Sequence, residues 1–192
     1  MVDRFESFSD VTLKSLNHAL AEDSCELSKE DIDKLMKAYD SLSTFPDVQP
    51  ALKALKDKAD TIQAVVFSNG TQSMVSSSVR SSPDLGPHSD VFAKIVTVES
   101  VKRFKPAPEV YQHLAREVGK GINAQSMSSM WLISGNPFDV VGARAAGMQA
   151  AWVDRLGMGW TDMMGQKGEE PTVIVKGLGE AVEAVEKHSQ QS

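Results

Sequence analysis

A single cysteine, Cys25, is the only thiol in these 192 residues, so no disulfide can close within the chain and a reducing compartment is the expected setting. Cys25 itself reads as a half-buried helix or loop residue rather than a reactive thiol. No apolar run approaches the roughly 18–20 residues needed to cross a bilayer, which excludes a transmembrane helix from the expectations. An excess of basic residues is also missing: Lys plus Arg number 20 against 26 for Asp plus Glu, a net charge of −6. A net acidic surface repels a phosphate backbone, so nucleic acid is not an expected partner. The opening Met1-Val2-Asp3-Arg4-Phe5-Glu6 lacks the basic flank and apolar centre of a secretory signal. No membrane partner is expected, and the cytoplasm is the expected address. Internal repeats and low-complexity tracts are absent as well.

What is present is 41% apolar residues, enough for a sizeable core in one domain with a small appendage. The first 40 residues contain no strand. Phe8, Val11, Leu16 and Leu20 share one helix face; Ser28 with Asp31 three residues later caps a second helix, with Ile32, Leu35, Met36 and Tyr39 on one stripe. The two read as an antiparallel pair. After Ser43-Thr44-Phe45-Pro46, Asp47 is placed to cap a helix running through Lys58, with Val48, Ala51, Leu52 and Leu55 inward. Short β-branched runs then alternate with amphipathic helices. Strands are expected over Ile62–Phe67, Ala93–Val98, Met130–Ile133, Gln149–Val153 and Thr172–Val175, and helices over Thr71–Val79, Pro108–Val118, Pro137–Ala146 and Leu178–Lys187. Such alternation predicts an α/β fold with a doubly wound parallel sheet covered on both faces. The serine-rich Ser73–Ser82 and the polar Gly165–Glu170 read as exposed loop or solvated helix edge.

In such sheets ligands bind beyond the carboxyl ends of the strands, and that rule selects three segments. In Ser68-Asn69-Gly70 a hydroxyl, an amide and helix N-terminal N–H groups converge as an anion site, although any strand-to-helix turn prefers the same residue types. In Arg103-Phe104-Lys105-Pro106-Ala107-Pro108 the prolines restrict the backbone and hold Lys105 at the mouth of the sheet, as a fixed cation or as a solvated loop lysine. Tyr111 would point its hydroxyl toward the same loop. In Ser134-Gly135-Asn136-Pro137-Phe138-Asp139, Asp139 is placed to accept a proton from a water held by Asn136, or simply to interact with the helix dipole.

The combination is more specific than its parts. Phe45-Pro46-Asp47-Val48, Ser68-Asn69-Gly70, Lys105-Pro106 with Tyr111, and Ser134-Gly135-Asn136-Pro137-Phe138-Asp139-Val140-Val141-Gly142-Ala143 leading to Ala151-Trp152-Val153-Asp154-Arg155 occur in that order. With them the chain, from about Phe5 to Ala184, resembles the haloacid dehalogenase superfamily, and within it the type II L-2-haloacid dehalogenases. The resemblance implies a Rossmann-like core and a two-step hydrolysis in which an aspartate displaces halide at C2 of a 2-haloalkanoate and water then cleaves the ester. It assigns Ser68 and Asn69 to the substrate carboxylate and Lys105 to an ion pair with the nucleophile, supported by Tyr111. Ser134 orients that lysine, Asn136 and Asp139 position and activate the hydrolytic water, and Phe138 forms an aromatic wall. Phosphatases of the superfamily hold Mg²⁺ with an acidic residue in the last segment; here Ser134-Gly135-Asn136 is neutral, so no metal site and no cofactor are expected.

The family's nucleophile lies at the end of a first apolar strand followed by a threonine, and no such strand is found here. Asp10-Val11-Thr12 is better explained as the opening of a cap helix, and Asp154 follows a later strand of the sheet. The expected organisation is therefore a partial helical cap over 1–43 and a core over 44–192 without its first strand, leaving apolar surface on the strands that would flank it. Homodimerisation is expected from the family and from those edges. Beside a hydrolase of 2-haloacids stand two alternatives: a catalytically silent family member acting in binding or assembly, and, more weakly, a phosphatase of the same superfamily.

Overall fold

The computed structural model describes residues 5–38 and 43–190. Tyr39 lies outside the described residues, as do residues 1–4 and 40–42 of the expected cap. The chain starts with helices α1 (Phe8–Glu22) and α2 (Lys29–Ala38). Each opens on the same device: Ser7 Oγ accepts the Asp10 N–H at 3.1 Å and donates to its carboxylate, and Ser28 does the same for Asp31 at 3.1 Å. An orphan backbone donor is satisfied and a carboxylate is placed at the positive end of the helix. No residue of either helix is buried. Phe8, Leu16, Leu20, Ile32 and Met36 are half-buried, whereas Val11 and Leu35, expected on the inner stripes, are exposed. Cys25, expected to be half-buried, is exposed in the loop between the two helices. α1 is tied to the rest by aromatic contacts, with the Phe5 and Phe8 rings 5.2 and 6.4 Å from Phe104.

Helix α3 (Val48–Lys56) buries Ala51 and Leu52 and leads to strand β1 (Ala64–Ser68), helix α4 (Gln72–Ser81), a 3₁₀ turn (Gly86–Val91) and strand β2 (Phe92–Thr97). Helices α5 (Pro108–Glu117) and α6 (Ala124–Ser128) precede strand β3 (Trp131–Ser134), helix α7 (Pro137–Ala145), strands β4 (Gln149–Val153) and β5 (Val173–Val175), and helix α8 (Leu178–Ser189). Both α5 and α7 begin with proline, whose missing N–H costs nothing at a first helical position. The 3₁₀ turn and α6 carry no periodic pattern long enough to be read in advance. α4 is a helix whose far end is not solvated: Val79 and Ser82 are buried, contrary to the expectation for Ser73–Ser82.

All pairings are parallel, as the alternation of strands and helices predicts, but the strands form two sheets, β1-β2 and β3-β4-β5. Among the described residues β1 and β3 share no ladder. A single core nevertheless runs across both sheets: Val65, Phe67, Val96, Leu132, Ala150 and Trp152 pack with Tyr111, Leu114, Val140 and Ala143 of α5 and α7. The alternate residues Ala151, Val153 and Val175 pack with Ala181 and Leu178 of α8. β4 is therefore buried on both faces, as its continuous apolar run requires. All five residues of β1 are only half-buried, and Ile133 of β3 is exposed.

Asp47 occupies the position before α3 yet makes no side-chain capping bond there. Its carboxylate instead receives Arg155 through Nε at 3.0 Å and Nη2 at 2.9 Å, and the Leu178 N–H at 2.9 Å. It therefore caps α8, more than a hundred residues away. A bidentate guanidinium is a stronger partner than one backbone amide, and Arg155 in turn stacks 4.2 Å from the Phe45 ring centroid. The guanidinium and the α8 N–H hold the Asp47 carboxyl below its ordinary range, against the opposing effect of burial.

Candidate functional site

The carboxyl ends of β1 and β3 face a cavity of about 480 Å³ lined by Ser68, Asn69, Lys105, Asn136, Phe138 and Asp139. Phe8, Val66, Phe67 and the Met74, Val75, Ser78, Val79 face of α4 complete it. Six of the eight candidate residues thus converge from three separate segments. A second cavity of about 350 Å³, beside Val141 and the loop from Trp160 to Glu170, contains none of them.

At the cavity floor lies a buried ion pair. The Lys105 and Asp139 side chains are only 8% and 6% exposed, so charge of either sign is stable there only because the other is present. Lys105 Nζ donates to Asp139 Oδ2 at 3.1 Å and to the Phe67 carbonyl at 3.2 Å, and stands 4.8 Å over the Phe67 ring. Ser134 Oγ donates to the same Oδ2 at 3.0 Å. Asp139 Oδ1, although 3.1 Å from the ammonium nitrogen, is a buried oxygen without a hydrogen-bond partner. Oδ1 has essentially no surface open to the cavity, and the ammonium beside it is what offsets its charge.

The turns that carry these groups are pinned by their own side chains. Lys105 N–H donates to Asn69 Oδ1 at 2.9 Å, which binds the Lys105 loop to the end of β1 and leaves the Asn69 amide nitrogen as its remaining polar end. Ser68 Oγ accepts the Gly70 N–H at 3.0 Å, so its hydroxyl proton remains available to donate. Ser134 Oγ accepts the Asn136 N–H at 3.0 Å; its one proton goes to Asp139. Ser134 makes both of these hydrogen bonds within its own turn, where it steadies the carboxylate oxygen that Lys105 also meets.

Tyr111 is fully buried, with its hydroxyl donating to the Asp139 carbonyl at 3.3 Å and its ring edge-on to Phe67 at 5.8 Å. It does not line the cavity. It supports the backbone of α7 from behind, where its hydroxyl meets the Asp139 carbonyl and not the Lys105 loop toward which it was expected to point. Burial, and after it the nearby Asp139 charge, raises the Tyr111 hydroxyl pKa well above its ordinary value, so it stays a donor.

Asp10 is exposed and engaged in the cap of α1. Asp154 is 8% exposed and accepts the Met158 and Gly159 N–H groups at 3.1 and 2.7 Å, which lowers its pKa. It organises its own loop and touches neither cavity, as its expected strand-end placement implies. The candidate residues did not include the apolar wall. Phe8 and the α4 face repeat at helical spacing, and that signal alone marks a buried face without saying what it borders. Among the described residues no three His, Cys, Asp or Glu side chains are grouped as metal ligands.

Residues 2–147 match the family model of haloacid dehalogenase-like hydrolases. The chain is 28% identical over 166 residues to haloacetate dehalogenase H-2 of Moraxella sp. (strain B), covering 86% of this chain and 69% of that protein. It is 30% identical over 183 residues to (S)-2-haloacid dehalogenase H-109 of Pseudomonas putida, covering 94% and 74%. Among solved structures, the L-2-haloacid dehalogenase RSc1362 superposes with a TM-score of 0.80 at 25% identity, over 95% of this chain and 74% of that one.

Proposed function

The chain belongs to the haloacid dehalogenase-like hydrolases, and from that premise we propose that it hydrolyses 2-haloalkanoic acids to 2-hydroxy acids with release of halide. The observation that carries the proposal is the buried Lys105–Asp139 pair at the floor of a cavity whose rim is polar and whose wall is apolar. A 2-haloalkanoate has the complementary layout: a carboxylate, a carbon–halogen bond and an alkyl group.

Ser68 and Asn69 receive the substrate carboxylate. Their acceptor oxygens are already occupied by Gly70 N–H and Lys105 N–H, so both present donors. Asn136, whose side chain makes no capping bond, holds a water beside Asp139. The Asp139 carboxylate takes the proton as the water attacks. Lys105 balances the negative charge borne by the reacting carboxyl oxygens, and Ser134 keeps Asp139 facing it. Phe138, 44% exposed, and Phe8 bound the apolar side. In the two-step chemistry the family resemblance implies, the attacked carbon is that of an aspartyl ester carried by a second aspartate, because Asp139 cannot hold the ester while it takes the proton; among the described residues Asp139 is the sole carboxylate lining the cavity, so that second aspartate is not one of the lining residues described.

The reading extends to a cytoplasmic homodimer built from a cap over 1–43 and a core over 44–192. It is supported by the lone cysteine and by apolar surface at Leu156, Met158, Met163 and Met164, each more than 70% exposed. No helix among the described residues is long and apolar enough to cross a membrane. The test is halide release from L-2-chloropropionate without added metal. Release by this chain, or by a version extended at its N-terminus with an apolar strand ending in Asp, supports the reading; release by neither refutes it.

A further inference from the structure

The Lys105–Asp139 contact joins two segments that are separated in sequence and lie on different elements, so something must set the distance between α7 and the Lys105 loop. The two segments also pack closely at Gly142. It lies one turn beyond Asp139, on the same face of α7. A Cβ built at Gly142 would stand 2.2 Å from the Tyr111 hydroxyl oxygen, 2.7 Å from Pro106 Cβ and 2.8 Å from Tyr111 Cζ. These atoms have little room to yield. Tyr111 has no exposed surface, its ring is held by Phe67, and its hydroxyl is bonded to the Asp139 carbonyl. Pro106 is the neighbour of Lys105 in the chain.

We propose that Gly142 is a positioning residue for the reaction, an inference that rests on the hydrolase reading above. Its missing side chain lets α7 seat directly on Pro106 and Tyr111, and that seating brings Asp139 within 3.1 Å of the Lys105 ammonium. Any Cβ at 142 pushes the helix outward. An ordinary van der Waals separation of 3.4 Å requires the Tyr111 oxygen and the Cβ to part by about 1.2 Å more than they do now. A displacement of that size opens the ion pair, because hydrogen bonds weaken steeply beyond their usual lengths. The Ser68 and Asn69 donors sit at the end of β1 and are not carried by α7.

The experiment compares the parent with Gly142→Ala and Gly142→Ala/Tyr111→Phe; the double variant removes the nearest atom. Expected for Gly142→Ala is a kcat for halide release lower by about a hundredfold, the loss that a misplacement of about 1 Å produces. KM for L-2-chloropropionate should stay within about threefold, because the carboxylate donors do not move. Crystal structures should show the Lys105 Nζ to Asp139 Oδ2 separation lengthened in the single variant and shortened again in the double, with kcat partly recovered. An unchanged separation or an unchanged kcat in Gly142→Ala overturns the inference, as does a loss confined to KM. Failure of both variants to fold also overturns it, since Gly142 would then serve the fold and not the pair. Absence of halide release by the parent refutes the hydrolase reading instead, and the crystallographic separation still decides the role of Gly142 in setting the pair.

Discussion

Replacing Lys105 by Met tests whether the ion pair is as buried and as dependent on its partner as the geometry says. The methionine keeps an unbranched stem beside the Phe67 ring but removes the cation from Asp139 and the donor from the Phe67 carbonyl. What remains is a carboxylate 4% exposed, with the Ser134 hydroxyl on Oδ2 and nothing on Oδ1. Removing one partner of a buried pair costs about 3–5 kcal/mol, because the other charge is left in a medium that does not solvate it. With a urea slope of about 2–3 kcal/mol per molar, the unfolding midpoint falls by roughly 1–2 M. A second variant, Lys105→Met/Asp139→Asn, removes both charges. Exchanging a whole pair for neutral groups costs far less than breaking it, so the double variant should be more stable than the single by at least about 2 kcal/mol, a coupling that the mutant cycle reads directly. The assay is urea denaturation followed by far-ultraviolet circular dichroism at pH 7. Salt should change the difference little, because the pair is shielded from solvent. A loss below about 1 kcal/mol in Lys105→Met, or a double variant no better than the single, would refute the reasoning, since an exposed pair behaves in that way.

The other predictions concern the substrate donors and two structural carboxylates. Ser68→Ala should raise KM for 2-chloropropionate by roughly tenfold or more with little change in kcat, the loss of one hydrogen bond to a charged group; steady-state kinetics with the Asn69→Ala variant alongside checks it. Asp47→Asn should lower stability by about 1–2 kcal/mol at pH 7, through the loss of a charge-assisted cap on α8 and of the Arg155 fork. The folded pKa of Asp47 is depressed, so its contribution is complete above the ordinary carboxylate range and disappears as pH falls through the folded value. The gap between parent and variant melting temperatures should therefore narrow in acid, and a gap that stays constant down to pH 2 contradicts this. Asp154, whose pKa is likewise lowered by backbone N–H groups, holds the loop carrying Trp160. Acidification below the ordinary carboxylate range should free that loop, read as a change in tryptophan fluorescence that Asp154→Asn shows already at pH 7.

Local patterning made much of this molecule legible in advance. The strand Gln149–Val153 matches its expected limits, and the helices that begin at Pro108, Pro137 and Leu178 start where proline placement and periodicity put them. Those features depend on neighbours in sequence: caps within three residues, prolines at first turns, apolar residues at fixed spacing. The candidate site was legible for a related reason, since a rule about strand ends named Ser68, Lys105 and Asp139 before any contact was known. Errors came where a distant partner won. Asp47 turned from its own helix to Arg155 and α8. Val11 and Leu35 sit on apolar stripes of helices that find too little surface to bury them.

The sequence by itself determined the order of strands and helices, the parallel architecture and the polar residues at the strand ends, because each of these is a short-range consequence of side-chain chemistry. Only the tertiary structure decided that Lys105 and Asp139 form one buried pair, that Tyr111 stands behind the cavity, and that Gly142 is where two segments touch. Those facts depend on how close separate elements come, to within a few tenths of an ångström. Packing of the whole core sets that distance, and no local pattern encodes it.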